Sequence, residues 1–113
     1  MTTIKKMDRP LTFGDVAFDV YEMDGLRWVT GEHLSIGLKA SYLNVYSRES
    51  ARFLPWDTRE VRIPVWDYKL HAFYPRLRRI FSQSGALLLV RLAKGNERAG
   101  ALESWLSALS THE

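Results

Sequence analysis

The sequence predicts an α+β domain: a small antiparallel sheet of two hairpins packed on a buried helix, with short helices and a closing C-terminal amphipathic helix. Three observations carry this expectation. Asp24-Gly25 stands between two runs of strand formers, a tight-turn signal, because glycine tolerates the positive φ that hairpin turns need. Thr58 to Val65 alternates, with Val61 and Ile63 on one face and Glu60 and Arg62 on the other. Residues 84–94 hold Leu87, Leu88, Leu89, Val90, Leu92 and Ala93, a helix apolar on so much of its surface that it belongs at the centre of a fold.

The elements follow in order. Residues 1–10 read as a flexible leader ending at Pro10, residues 11–109 as a single domain and 110–113 as a tail. Phe13, Val16, Phe18, Val20 and Tyr21 supply the first hairpin's outgoing strand, and Leu26, Trp28 and Val29 its return. Thr30 caps a short helix through His33, Leu34 and Leu38, with Glu32 in its first turn. Ser41 caps a second helix over 42–53, in which Leu43, Tyr46 and Ser50 recur at helical spacing, and Pro55 stops it. Pro64 ends the following strand or confines it to an edge. Residues 66–75, WDYKLHAFYP, read as a loop or hairpin tip, and Leu77 to Phe81 as the partner strand. Ser82 opens the leucine-rich helix, Gly95 stops it, and Asn96 caps the last helix, where Leu102, Trp105, Leu106 and Leu109 form the i, i+3, i+4, i+7 series.

Composition narrows the function. The 113 residues are 46% hydrophobic and 26% charged, enough for one core. The absence of cysteine excludes disulfides and thiolate chemistry. No apolar run follows the lysines of MTTIKKMDRP, and the longest apolar run, Ala86 to Val90, is too short to cross a bilayer, so a cytoplasmic location without membrane contact is expected. Net charge is +3 but unevenly spread. Residues 76–98 carry Arg76, Arg78, Arg79, Arg91, Lys94 and Arg98 against Glu97; residues 15–33 carry Asp15, Asp19, Glu22, Asp24 and Glu32 against Arg27. Such a dipolar chain suits a charged partner or self-association.

Two stretches, YSRESARFLPWDTREVRIPV (46–65) and RIFSQSGALLLVRLAKGNERAGALESWLSAL (79–109), resemble in order and spacing the N-terminal domain of phage antirepressors, the BRO-N-like domain. The matching elements are Phe81-Ser82, Gly85, and Ala99 with Trp105, and the hairpin VYEMDGLRWVT fits the family's opening strands. The resemblance spans about residues 11–109 and implies a mixed α/β fold and a role in phage or prophage regulation, with association to DNA or to a repressor protein. The family usually carries a second, C-terminal domain, which is not seen here, and the residues before its closing tryptophan are commonly basic where this chain has Glu103 and Ser104.

The residues point to binding rather than catalysis. His33, His71 and His112 are too scattered to form a metal-ligand pair at fixed spacing and read as structural. Ser82 reads as a helix cap, and the nucleophile-elbow, phosphate-loop and dinucleotide fingerprints are missing. No catalytic residue, metal or cofactor is expected. Trp66, Tyr68, Phe73 and Tyr74, with Arg76 beside them, are the candidate protein interface, because aromatics next to arginine are typical anchors. Arg78, Arg79, Arg91, Lys94 and Arg98, with Arg48, Arg52, Arg59 and Arg62, are the candidate nucleic-acid contacts. Trp28 and Trp105 are expected in the core and Trp56 capping it. The expected function is an antirepressor-like module that inactivates a repressor or other regulatory protein by non-covalent occlusion. DNA binding by a transcription regulator and phage inhibition of another host protein are the alternatives, and a homo-oligomer is expected.

Overall fold

The computed structural model describes residues 4–93 and 95–109. The tail at 110–113, His112 and the candidate Lys94 therefore lie outside the described residues. Where a flexible leader was expected, Lys5–Lys6 forms a short strand, β1. It pairs with Tyr21 and Glu22 at the sheet edge. Three hairpins follow instead of two. In the first, β2 (Leu11–Phe13) pairs with β3 (Val16–Phe18) as a separate two-stranded sheet, turned at Gly14 with φ 61°. In the second, Asp24 and Gly25 take φ of 55° and 74°, the doubly left-handed turn expected there, joining β4 (Val20–Met23) to β5 (Leu26–Thr30).

Thr30 then caps α1 (Gly31–Leu38), its hydroxyl accepting from the His33 N–H at 3.2 Å. α2 covers Tyr42–Glu49, shorter than the expected 42–53, and tightens into a 3-10 turn at Ser50–Arg52. Ser41 makes no capping bond; the orphan N–H of Tyr42 is met instead by the Ser35 hydroxyl at 2.8 Å. Val45 is the buried residue of α2, and Leu43 faces out.

Of the loop or hairpin tip expected at 66–75, the third hairpin shows the tip, and a shorter one. β6 (Thr58–Asp67) and β7 (Ala72–Ser82) pair without a break from Thr58↔Phe81 to Asp67↔Ala72, leaving 68–71 as the turn. Both prolines fit because Pro64 stands opposite Pro75. A rung where neither residue can donate is a non-hydrogen-bonded pair, with backbone groups turned outward. The bond from Ser82 N–H to the Asp57 carbonyl, at 3.0 Å, fits the same alternation.

Ser82 caps α3 (Gln83–Leu92), accepting from the Gly85 N–H. Gly95 takes φ 80°. α4 spans Ala99–Ser107, later than the expected start at 97, because Asn96 caps a preceding turn, its Oδ1 accepting from Arg98 N–H at 2.9 Å.

The five-stranded sheet is antiparallel, in the order β1-β4-β5-β7-β6, so the proline-bearing β6 is an edge strand. The helices cover one face: Val20, Val29 and Phe81 join Leu34, Leu38, Leu89, Leu102 and Leu106 in one buried cluster. On the other face Tyr21, Met23, Trp28, Ile63 and Ile80 form a second cluster made of strand residues alone. Trp28 is buried as expected, while Trp105 is half-buried against Phe13 and Phe18. Trp56 is a correction: 57% exposed, it does not cap the core. Asp57 N–H closes a turn onto the Leu54 carbonyl at 2.8 Å, and that turn carries Trp56 outside. No helix among the described residues is long and apolar enough to cross a membrane.

Candidate functional site

β7 meets β5 at three rungs, Trp28↔Ser82, Val29↔Phe81 and Thr30↔Ile80. Beyond Ile80 it pairs with β6 alone, so residues 60–79 form a two-stranded arm reaching past the sheet. Sequence periodicity makes the arm two-faced near its base: Ile63 is buried, Val61 and Val65 pack toward the second cluster, and Glu60, Arg62, Pro64 and Trp66 lie open. Farther out, the first five residues of β7 after Ala72 are exposed on both faces.

All five interface candidates lie on this arm. Trp66 packs edge-on against Phe73 at 5.1 Å and against Tyr68 at 6.4 Å. Tyr74 lies on the other face under the Arg76 guanidinium, at 5.7 Å, and Arg76 reaches Asp67 at 3.4 Å. Trp66, Tyr68, Phe73 and Tyr74 stay 38%, 81%, 62% and 38% exposed, which at about 150–250 Å² per ring leaves about 400 Å² open. Leu70 and Leu77, not singled out from the sequence, are also exposed on the arm.

The nucleic-acid candidates are dispersed and mostly neutralised. Arg59 pairs with Asp24 at 2.7 Å, Arg78 with Glu32 at 3.3 Å, Arg79 with Glu60 at 3.3 Å, Arg91 with Glu103 at 3.1 Å and Arg52 with Glu49 at 3.7 Å. Arg98 donates to the Gly37 carbonyl at 2.6 Å and covers the Phe13 ring. Among the described residues Arg48 and Arg62 have no ion pair. They sit on α2 and on the arm respectively, so no continuous basic face joins them.

Between the arm and the end of β5 lies a cleft of about 290 Å³. Ile63, Val65, Trp66 and Phe73 line it from the arm; Tyr21, Thr30 and His33 line it from the body. Lys6 and Asp19, 3.6 Å apart, and the Arg78–Glu32 pair flank it. Burial, reinforced by the Asp19 and Glu32 carboxylates, pushes the Tyr21 hydroxyl up to about 12. Burial holds His33 below its ordinary 6.5, against the pull of the same two carboxylates. The sequence reading missed this cleft. The Thr30–His33 spacing was legible as a cap, but nothing local ties Lys6, Asp19 and Trp66 together.

A larger hollow, about 560 Å³, lies between the β4–β5 turn and the start of α3. Several of its polar side chains are already engaged: Arg27 on the Leu109 carbonyl, Gln83 on those of Leu106 and Ser107, and Ser84 on Asp57. Among the described residues no group of three or more acidic or histidine side chains is placed to hold a metal ion.

A scan against protein-family models finds no match, and comparisons with curated proteins and with solved structures find none either. The antirepressor resemblance thus rests on the sequence series alone.

Proposed function

We propose that this chain is a regulatory binding module of the antirepressor type, which docks a repressor or another regulatory protein of phage or host through the β6–β7 arm and inactivates it by occlusion. One observation carries the reading: Trp66, Tyr68, Phe73 and Tyr74 are left open on a hairpin whose outer part pairs only with itself. Exposed apolar patches of a few hundred Å² are often interaction sites. Rings next to arginine supply large contact area at low entropic cost, and Arg62, without an ion pair among the described residues, adds charge complementarity at the rim. No covalent step is needed, and the same open rings make pairing of two copies part of the proposal.

Affinity capture from host lysate, read by mass spectrometry, tests it. Wild-type protein should retain a regulatory protein that Trp66→Ala and Tyr74→Ala lose; retention unchanged by both would end the arm's role. Light scattering across the micromolar range reads the pairing of copies.

Direct DNA contact is the second reading. It is favoured by the arm's excess of cations, since residues 60–79 carry Arg62, Lys69, Arg76, Arg78 and Arg79 against Glu60 and Asp67. The ion pairs that tie three of these five to carboxylates count against it. A phosphate-led complex weakens linearly in log salt, so absence of a duplex shift at low salt would remove this reading.

A further inference from the structure

The cleft under the arm contains two hydrogen-bonding groups that the protein does not use. The Thr30 hydroxyl accepts from the His33 N–H, and its own hydrogen finds an acceptor at His33 Nδ1, 2.6 Å away. Thr30 Oγ1 makes no other hydrogen bond among the described residues, and with the hydroxyl as donor to Nδ1 the ring proton sits on Nε2. The carboxylate nearest to Nε2 is Asp19, at 3.9 Å, beyond hydrogen-bond reach. Asp19 is in any case paired with Lys6. The Tyr21 hydroxyl has no partner among the described residues and is not sealed off, so it opens on the cleft. Across the cleft from these two groups the arm offers apolar lining, from Ile63, Val65, Trp66 and Phe73.

We propose that this cleft takes a tyrosine side chain of the partner protein, its ring against Ile63, Val65, Trp66 and Phe73 and its hydroxyl between His33 Nε2–H and the Tyr21 hydroxyl. The proposal rests on the arm being the partner-docking element. The volume, about 290 Å³, suits one large side chain and not a cofactor. The charge of the site selects a neutral group. Asp19 and Glu32 disfavour a carboxylate or phosphate there, and each already holds its own cation, Lys6 or Arg78, so an ammonium gains little. A ring without a hydroxyl would cover both polar groups and pair neither, which is the arrangement binding sites reject most strongly.

The test is an NMR titration of the whole chain with N-acetyl-tyrosinamide and, separately, N-acetyl-phenylalaninamide. The tyrosine probe should shift the amides of residues 19–21, 30–33, 63, 65 and 66 saturably, at about millimolar affinity for so small a ligand. The phenylalanine probe should bind at least about fivefold more weakly. Tyr21→Phe, which keeps the buried ring and removes the hydroxyl, should narrow that gap. Equal binding of the two probes, shifts centred on Tyr68 and Tyr74, or no saturable shift would each overturn the proposal. Tyr68→Ala separates it from the docking reading, since that turn residue is not among those lining the cleft. Partner capture should fall in this variant while probe binding persists. Probe binding at the cleft with capture indifferent to every arm substitution would sink the docking reading and leave the cleft as a site.

Discussion

Gly85 is where α3 comes closest to the turn before β6. A Cβ built there would lie 1.8 Å from the Asp57 carbonyl oxygen, a backbone atom that cannot swing aside. Gly85→Ala is therefore expected to cost at least about 2 kcal/mol in urea unfolding, the scale of an overpacked core. Gly100→Ala, with nothing within 4 Å, should stay within about 1 kcal/mol and on the stabilising side. The buried Asp57 is the reason the approach is so close: Oδ1 accepts from the Ser84 hydroxyl at 2.5 Å and Oδ2 from the Leu54 N–H at 3.0 Å. His33 gives a pH dependence. Burial lowers its folded-state pKa below 6.5, so the unfolded chain binds the proton more tightly. Its contribution to stability is complete above about 6.5 and is lost as pH falls through the depressed value. His33→Gln should flatten that limb in denaturation curves taken from pH 8 to pH 5; an unchanged slope would show that another group sets it.

At the level of elements, the hairpin whose tip the sequence spreads over 66–75 is one ladder down to a turn at 68–71. Pro64 and Pro75 look like breakers when read along the chain, but they share a rung that needs no donor from either. Both point their missing N–H to the outer edges, so a foreign strand finds a gap in each edge. Restoring the donors with Pro64→Thr and Pro75→Thr should leave unfolding within about 1 kcal/mol of wild type, because no internal bond is involved. Turbidity should rise instead, as the edges become open to pairing; a large loss of stability without turbidity would contradict this register. What was legible locally held: the Asp24-Gly25 turn, the Thr30 and Ser82 caps, and the leucine-rich helix. What was not legible depends on partners distant in sequence. Trp56 looked like a core residue because its pattern does not reveal on which side of a turn it falls. The cleft joins Lys6, Asp19, His33 and Trp66, which no single element contains. The arginines looked free because some of their acidic partners, such as Asp24 for Arg59, lie 35 or more positions away.

For the molecule as a whole, the seam between β5 and β7 is what joins the two parts of the sheet. Three rungs join the strands before α1 to the hairpin after α2. The seam's residues are buried on both faces, with Val29 and Phe81 under the helices and Trp28 and Ile80 in the second cluster. Hydrogen exchange should therefore be slowest at 28–30 and 80–82 and inside α3, and fastest beyond Arg62 and Leu77 on the arm. Equal protection along all of β7 would mean that the arm is supported by more than its own pairing. With a Cα radius of gyration of 13.7 Å, close to the roughly 13 Å usual for a chain of this length, the arm does not stretch the molecule far. Its turn is held from within: the Asp67 carboxylate accepts from the N–H groups of Lys69 and Leu70, while His71 sits at φ 50°. A graft placed between Lys69 and Leu70, whether an epitope, a dye or a second protein, would hang outside the fold's cooperative unit. The chain thus offers a splice point at the spot where bulk would most obstruct a bound partner, and an insertion there would disturb the Asp67 turn while leaving both buried clusters intact.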